Sequence, residues 1–152
     1  MPQPALEALQ RASPRARIAV VGASRHTWKY GYIITADLHG RDYEVLPVNP
    51  REFEVAGLRC LPSVADCGFV DIVNVVVPPE VSLELARTMD PASCRVLWFQ
   101  PGSFDAEVEA VARARFAHVV AGPCIMVVAR WHASAAERSD EAPRSIRSSP
   151  HV

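Results

Sequence analysis

The sequence has no excess of positive charge. Its 16 Lys and Arg stand against 17 Asp and Glu, for a formal net charge of -1, so no basic face is implied. That disfavours nucleic acid as a partner held by general electrostatic attraction. No apolar run reaches the length that crosses a membrane, which takes ~18 residues or more, and no membrane partner is expected. The N-terminus, M-P-Q-P-A-L-E, lacks the charged and apolar regions of a signal peptide, so the expected compartment is the cytoplasm. Cys60, Cys67, Cys94 and Cys124 occur singly, with no C-x-x-C pair, which argues against a zinc site or a disulfide framework and for reduced thiols. Lysine occurs once, as Lys29.

What is present is enough for one domain with a real core, since 152 residues divide poorly into two. The organising stretch runs from Arg17 to Gly40. Arg17 to Val21 is apolar, rich in β-branched residues and closed by Gly22, as suits a strand buried on both faces. Tyr32, Ile33, Ala36 and Leu38, with Gly40 behind them, suit a helix. A strand entering a Gly-Ala-Ser turn and then a helix points free backbone N–H groups at one spot. A phosphorylated ligand is therefore expected there.

Four further strands are predicted, at Tyr43 to Val48, Val70 to Val77, Arg95 to Gln100 and Ala117 to Ala121. Between them, Glu52 to Cys60 reads as a small hairpin or loop, and Ser63 opens a short helical turn. Pro78 and Pro79 begin a helix containing Val81, Leu83, Leu85 and Ala86, and Asp105 to Arg115 forms another. Five strands alternating with helices make a single α/β domain, a Rossmann-like, doubly wound parallel sheet, the economical fold. The predicted organisation is an extension at 1–16, where Leu6 and Leu9 could share one face of a short helix, a domain at 17–132 and a mobile tail at 133–152. That tail is nearly free of large apolar residues and cannot bury enough surface to offset the entropy of ordering.

A dinucleotide fingerprint requires G-x-G-x-x-G and an acidic residue about 20 positions later. Here Ser24 and Thr27 replace the later glycines, and Asn49 ends the second strand. Both departures count against NAD. Catalytic residues are also missing from the pattern: His118 and His132 have no carboxylate neighbour or glycine-rich setting, and Asp71 and Asn74 read as polar positions of a buried strand.

Taken in order, V-V-G-A-S at 20–24, Y-E-V-L-P-V-N-P at 43–50, Gly57, L-P-S-V-A-D at 61–66, V-D-I-V at 70–73, W-F-Q-P-G at 98–102 and Cys124 form a series. It resembles the CoA-binding domain, known as a free-standing bacterial protein and within the alpha subunit of succinyl-CoA synthetase. The resemblance covers Arg17 to Val128. It implies a cleft in which Gly22, Ala23 and Ser24 approach a pyrophosphate, Asn49 and Pro50 flank the adenosine end, and Val77 and Pro78 form the adjoining wall. Lys29 stands where the free-standing form usually has Arg, His26 is within reach of the phosphates, and Gln100 and Gly102 lie at the same sheet edge. Gly22 would permit close backbone approach, the Ser24 hydroxyl would donate to a phosphate oxygen, and Lys29 would supply a point charge.

The free-standing form also tends to carry a basic residue after its third strand, another before its cysteine and a lysine shortly after it. Here Val77 or Pro78, Pro123 and Met126 hold those places. The V-V-P-P and G-P-C variants look more like the synthetase subunit, where backbone and proline walls make most contacts. The resemblance implies binding of CoA or acyl-CoA without chemistry, by a chain that could form a homo-oligomer. One alternative is a partner-dependent subunit related to acyl-CoA synthetases that form a nucleoside diphosphate; those need a phosphorylated histidine domain and an ATP-binding domain, for which 152 residues leave no room. The other is an NAD(P)-dependent oxidoreductase. A valine at Gly22 is expected to fill the phosphate's place in a protein that still folds, and Cys124 reads as a small buried hydrophobe unless it meets a ligand thiol.

Overall fold

The computed structural model describes residues 16–130; the predicted N-terminal helix and the tail at 133–152 lie outside the described residues. Five strands form one parallel sheet: β1 (Arg17–Val21), β2 (Glu44–Val48), β5 (Val70–Val75), β6 (Cys94–Phe99) and β7 (Val119–Ala121). Their order across the sheet is β2-β1-β5-β6-β7. The chain thus builds outward from β1 in one direction and then in the other. The switch falls between β1 and β5, and the crevice beside such a switch, at the carboxyl ends of the strands, is where ligands of open α/β sheets bind.

Strand alternation divides the core. Ile18, Val20, Ile72, Val96 and Trp98 pack on one face of the sheet with Ile34 and Leu38 of α1 (Tyr30–Gly40) and with Ile125 and Val128 of the helical segment 125–130. Ala19, Val73, Val75, Leu97 and Phe99 pack on the other, against Ala86 of α2 (Pro79–Thr88) and Val108 and Ala112 of α3 (Ala106–Arg115). Burial on both faces is why the strands read as apolar runs without polar alternation. The result is the doubly wound α/β sandwich expected from the sequence.

Local chemistry sets the ends of the elements. Pro78 precedes α2, whose first residue is Pro79, a position where the missing N–H has no cost. Asp105 caps α3 by accepting from the Val108 N–H at 2.9 Å. The excursion after β2 is a hairpin of β3 (Glu54–Val55) and β4 (Leu58–Arg59), and a 3-10 turn (Val64–Cys67) follows. Ser63 is the N-cap of that turn, and its hydroxyl and N–H both donate to the Asp66 carboxylate. The strand read as Val70 to Val77 stops at Val75. The Val76 N–H still reaches the Val21 carbonyl at 2.8 Å, but Val77 turns away to wall a cleft.

Candidate binding site at the carboxyl edge

The site is built on two glycines. Gly22 follows β1 with φ +99°, and its N–H donates to the Val48 carbonyl at 3.0 Å. A β-carbon there would lie 2.7 Å from the Val76 carbonyl oxygen and 2.8 Å from Val77 Cγ1. The space beside Gly22 is therefore filled by Val76 and Val77, just past β5, and the expectation that a valine here would leave the protein folded is corrected: crowding and positive φ both oppose it. Gly31, in the first turn of α1, stands closer still. A β-carbon on it would come 2.1 Å from the Gly22 carbonyl oxygen, so α1 starts directly on the turn that leaves β1. The fingerprint positions at Ser24 and Thr27 do not provide this approach.

Lys29 precedes α1 without a side-chain cap, and the first turn contains no acidic residue. The positive end of the helix is thus left without neutralisation from within its own first turn. In the turn, the buried Ser24 accepts the His26 N–H on Oγ at 3.1 Å, which leaves its hydroxyl proton available. The Arg25 N–H donates to Glu52 Oε2 at 2.5 Å. Trp28 is 72% exposed and its indole lies 4.7 Å from the His26 ring.

Opposite this turn lies the end of β2. Asn49 Nδ2 donates to the Ala23 carbonyl at 2.8 Å, and its Oδ1 accepts from the Arg51 N–H at 2.9 Å. Asn49 therefore ties the two loops together through Nδ2, while its Oδ1 closes a turn within its own loop. Two clefts meet there. A polar one of about 350 Å³ is lined by Ser24, Arg25, His26, Lys29 and Glu52. A larger one, of about 500 Å³, is lined by Gly22, Pro50, Val64, Val77, Val81 and Leu85. Asn49 and Arg51 belong to both.

A third, smaller cavity of about 150 Å³ lies farther along the edge, between Tyr30, Val76, Gln100, Pro101 and Cys124. The Gln100 amide is engaged by protein groups: Oε1 accepts from Asn74 Nδ2 at 3.2 Å and from the Ile125 N–H at 2.8 Å, while Nε2 donates to Cys124 Sγ at 3.3 Å. Asn74 Oδ1 is buried without a partner among the described residues. All four thiols are free. Burial, followed by the nearby Asp90, pushes the Cys94 thiol up to about 12. Cys60 and Cys67 are also raised, chiefly by burial.

The residues singled out from the sequence thus divide. Gly22, Asn49, Pro50 and Val77 line the larger cleft. Ser24, His26 and Lys29 line the polar one with Asn49. Gln100 stands apart with Cys124. Ala23 is buried and offers its carbonyl to Asn49, Pro78 precedes α2, and Gly102 occupies the turn after β6 at φ +88°. Sequence reasoning passed over Arg25, Arg51 and Glu52. Their positions, directly after G-A-S and N-P, were the available signal. Arg25 and Arg51 bring positive charge to an edge where three expected basic residues are missing. No group of three or more His, Cys, Asp or Glu that could hold a metal occurs among the described residues.

The family described as CoA binding domain matches residues 16–130. Among curated proteins, the uncharacterized protein YneT of Bacillus subtilis is 30% identical over 122 residues, which is 80% of this chain and 88% of that protein. An ADP-forming acetate–CoA ligase of Methanocaldococcus jannaschii is 36% identical over 62 residues, 40% of this chain but 9% of the ligase. Among solved structures, a conserved hypothetical protein from Pyrococcus furiosus is 42% identical, with TM-score 0.69 over 74% of this chain and 97% of that one. A hypothetical protein from Pyrococcus horikoshii OT3 is 28% identical, with TM-score 0.72 over 84% of this chain and 93% of that one.

Proposed function

This chain belongs to the CoA-binding domain family, and we propose that it binds CoA or acyl-CoA across the two joined clefts without chemistry of its own. The observation that carries this reading is the junction at Asn49 and Arg51, where a polar cleft at the start of α1 meets an apolar one at the switch point of the sheet. CoA has the matching division, with phosphates beside a flat heteroaromatic ring. Its pyrophosphate takes the Ser24 hydroxyl and the open end of α1, with Arg25 and Lys29 supplying positive charge and His26 lining the same cleft. The adenosine lies in the larger cleft between Pro50 and Val77.

Isothermal titration with CoA, with dephospho-CoA, ADP and NAD in parallel, tests the reading. We expect saturation at one CoA per chain and no heat from NAD, because Asn49 stands at the end of β2 where a ribose-binding acid would, and its amide is spent on Ala23 and Arg51. Absence of CoA binding would overturn it. A second reading, a subunit that works beside an ATP-binding partner chain, is favoured by the ligase similarity. Copurification of such a partner, with CoA binding that appears when the two are mixed, would establish it.

A further inference from the structure

Glu52 is the single acidic residue lining the polar cleft, beside Arg25, Lys29 and Arg51. Its carboxylate makes no ion pair with a Lys or Arg among the described residues. It reaches across to the Arg25 N–H of the opposite loop. The turn that carries it is held twice by Asn49, because the Glu52 N–H donates to the Asn49 carbonyl at 3.3 Å and the Arg51 N–H to Asn49 Oδ1 at 2.9 Å. A carboxylate is thus positioned on a backbone donor of the very turn that leads into α1, while the cations around it remain open to another anion.

We propose that Glu52 is an internal competitor for the phosphate position. It sets the ligand requirement of the cleft: an anion must displace this carboxylate or lie beside a like charge. Free phosphate and pyrophosphate bring nothing that offsets that cost. A ligand whose apolar part also fills the larger cleft across Asn49 and Arg51 does. The inference rests on the CoA reading for the identity of that ligand, but the competition itself concerns any phosphate at this turn.

The test compares the full chain with Glu52→Gln and Glu52→Ala. Each is titrated with CoA by calorimetry and with inorganic pyrophosphate by the chemical shift of the Arg25 amide. Glutamine keeps an acceptor for the Arg25 N–H but removes the charge, and a hydrogen bond to a neutral acceptor is roughly half as strong as one to a carboxylate. Both variants are expected to bind both ligands more tightly than wild type, by about fivefold to tenfold. Unchanged affinity in both variants, or weaker binding in Glu52→Ala alone, would overturn the proposal and leave Glu52 as a tie between loops. Tighter pyrophosphate binding with no CoA binding by any form would uphold the competition and overturn the CoA reading. CoA binding of equal strength in all three would do the reverse, and no binding of either ligand by any form would overturn both.

Discussion

Gly31 fixes how near α1 comes to the sheet, and the consequence is measurable at the level of one methyl group. Gly31→Ala would place a β-carbon 2.1 Å from the Gly22 carbonyl oxygen, a backbone atom that cannot rotate away. We expect a loss of about 2 kcal/mol or more in urea unfolding, the range of overpacked cores. Gly40→Ala, in the same helix but with nothing within 4 Å of the added carbon, is expected to be neutral or to gain up to about 0.5 kcal/mol. Equal effects from the two would contradict the packing account. The pair also shows where sequence reading stops. Gly22 was legible because it closes an apolar run, whereas Gly31 looks like any glycine between two tyrosines, and its reason is a distance across the fold. Asn49 was legible as a residue at the sheet edge. Its role as the tie between loops, and the charges of Arg25, Arg51 and Glu52 gathered around it, depend on two segments some 26 residues apart meeting.

Elements were easier to read than their limits. Each sheet strand is buried on both faces, so local composition alone carries the signal, and the hairpin announced itself by its central glycine. The ends depend on pairing, which composition does not carry: β5 stops two residues before its valines do, and β7 is confined to Val119–Ala121. The helical segment 125–130 was not foreseen, because its docking is specified from outside it. Gln100 Oε1 accepts the Ile125 N–H, and Trp98 Nε1 donates to the Pro123 carbonyl at 2.8 Å. Gln100→Leu leaves the buried Ile125 N–H and Asn74 Nδ2 without their acceptor. A loss of about 2 kcal/mol is expected, together with faster amide hydrogen exchange across 125–130 than across α3. Unaltered exchange in that segment would show that apolar packing by Ile125 and Val128 holds it without the glutamine.

At the scale of the whole molecule, buried thiols make stability depend on pH in one direction. The Cys94 thiol rises from 9.0 to about 12 in the fold, so the folded state keeps a proton that the unfolded chain releases. The stability this confers is fully present below pH 9 and is lost as pH rises towards 12. Cys60, Cys67 and Tyr43, each raised mainly by burial, act in the same sense. Urea midpoints are expected to hold steady from pH 7.5 to 8.5 and to fall above 9, with a shallower fall in Cys94→Ala; a midpoint that rises with pH would contradict the burial. The central claim is that this fold presents a CoA site at the carboxyl edge of its sheet. Amide chemical-shift mapping of the isotopically labelled chain during CoA titration tests it most directly. The account predicts the largest shifts at Gly22 to Lys29 and at Asn49 to Glu52, with α3 unmoved. Shifts concentrated at the opposite edge, around Arg17, Val70 and Cys94, or none at saturating CoA, would contradict it.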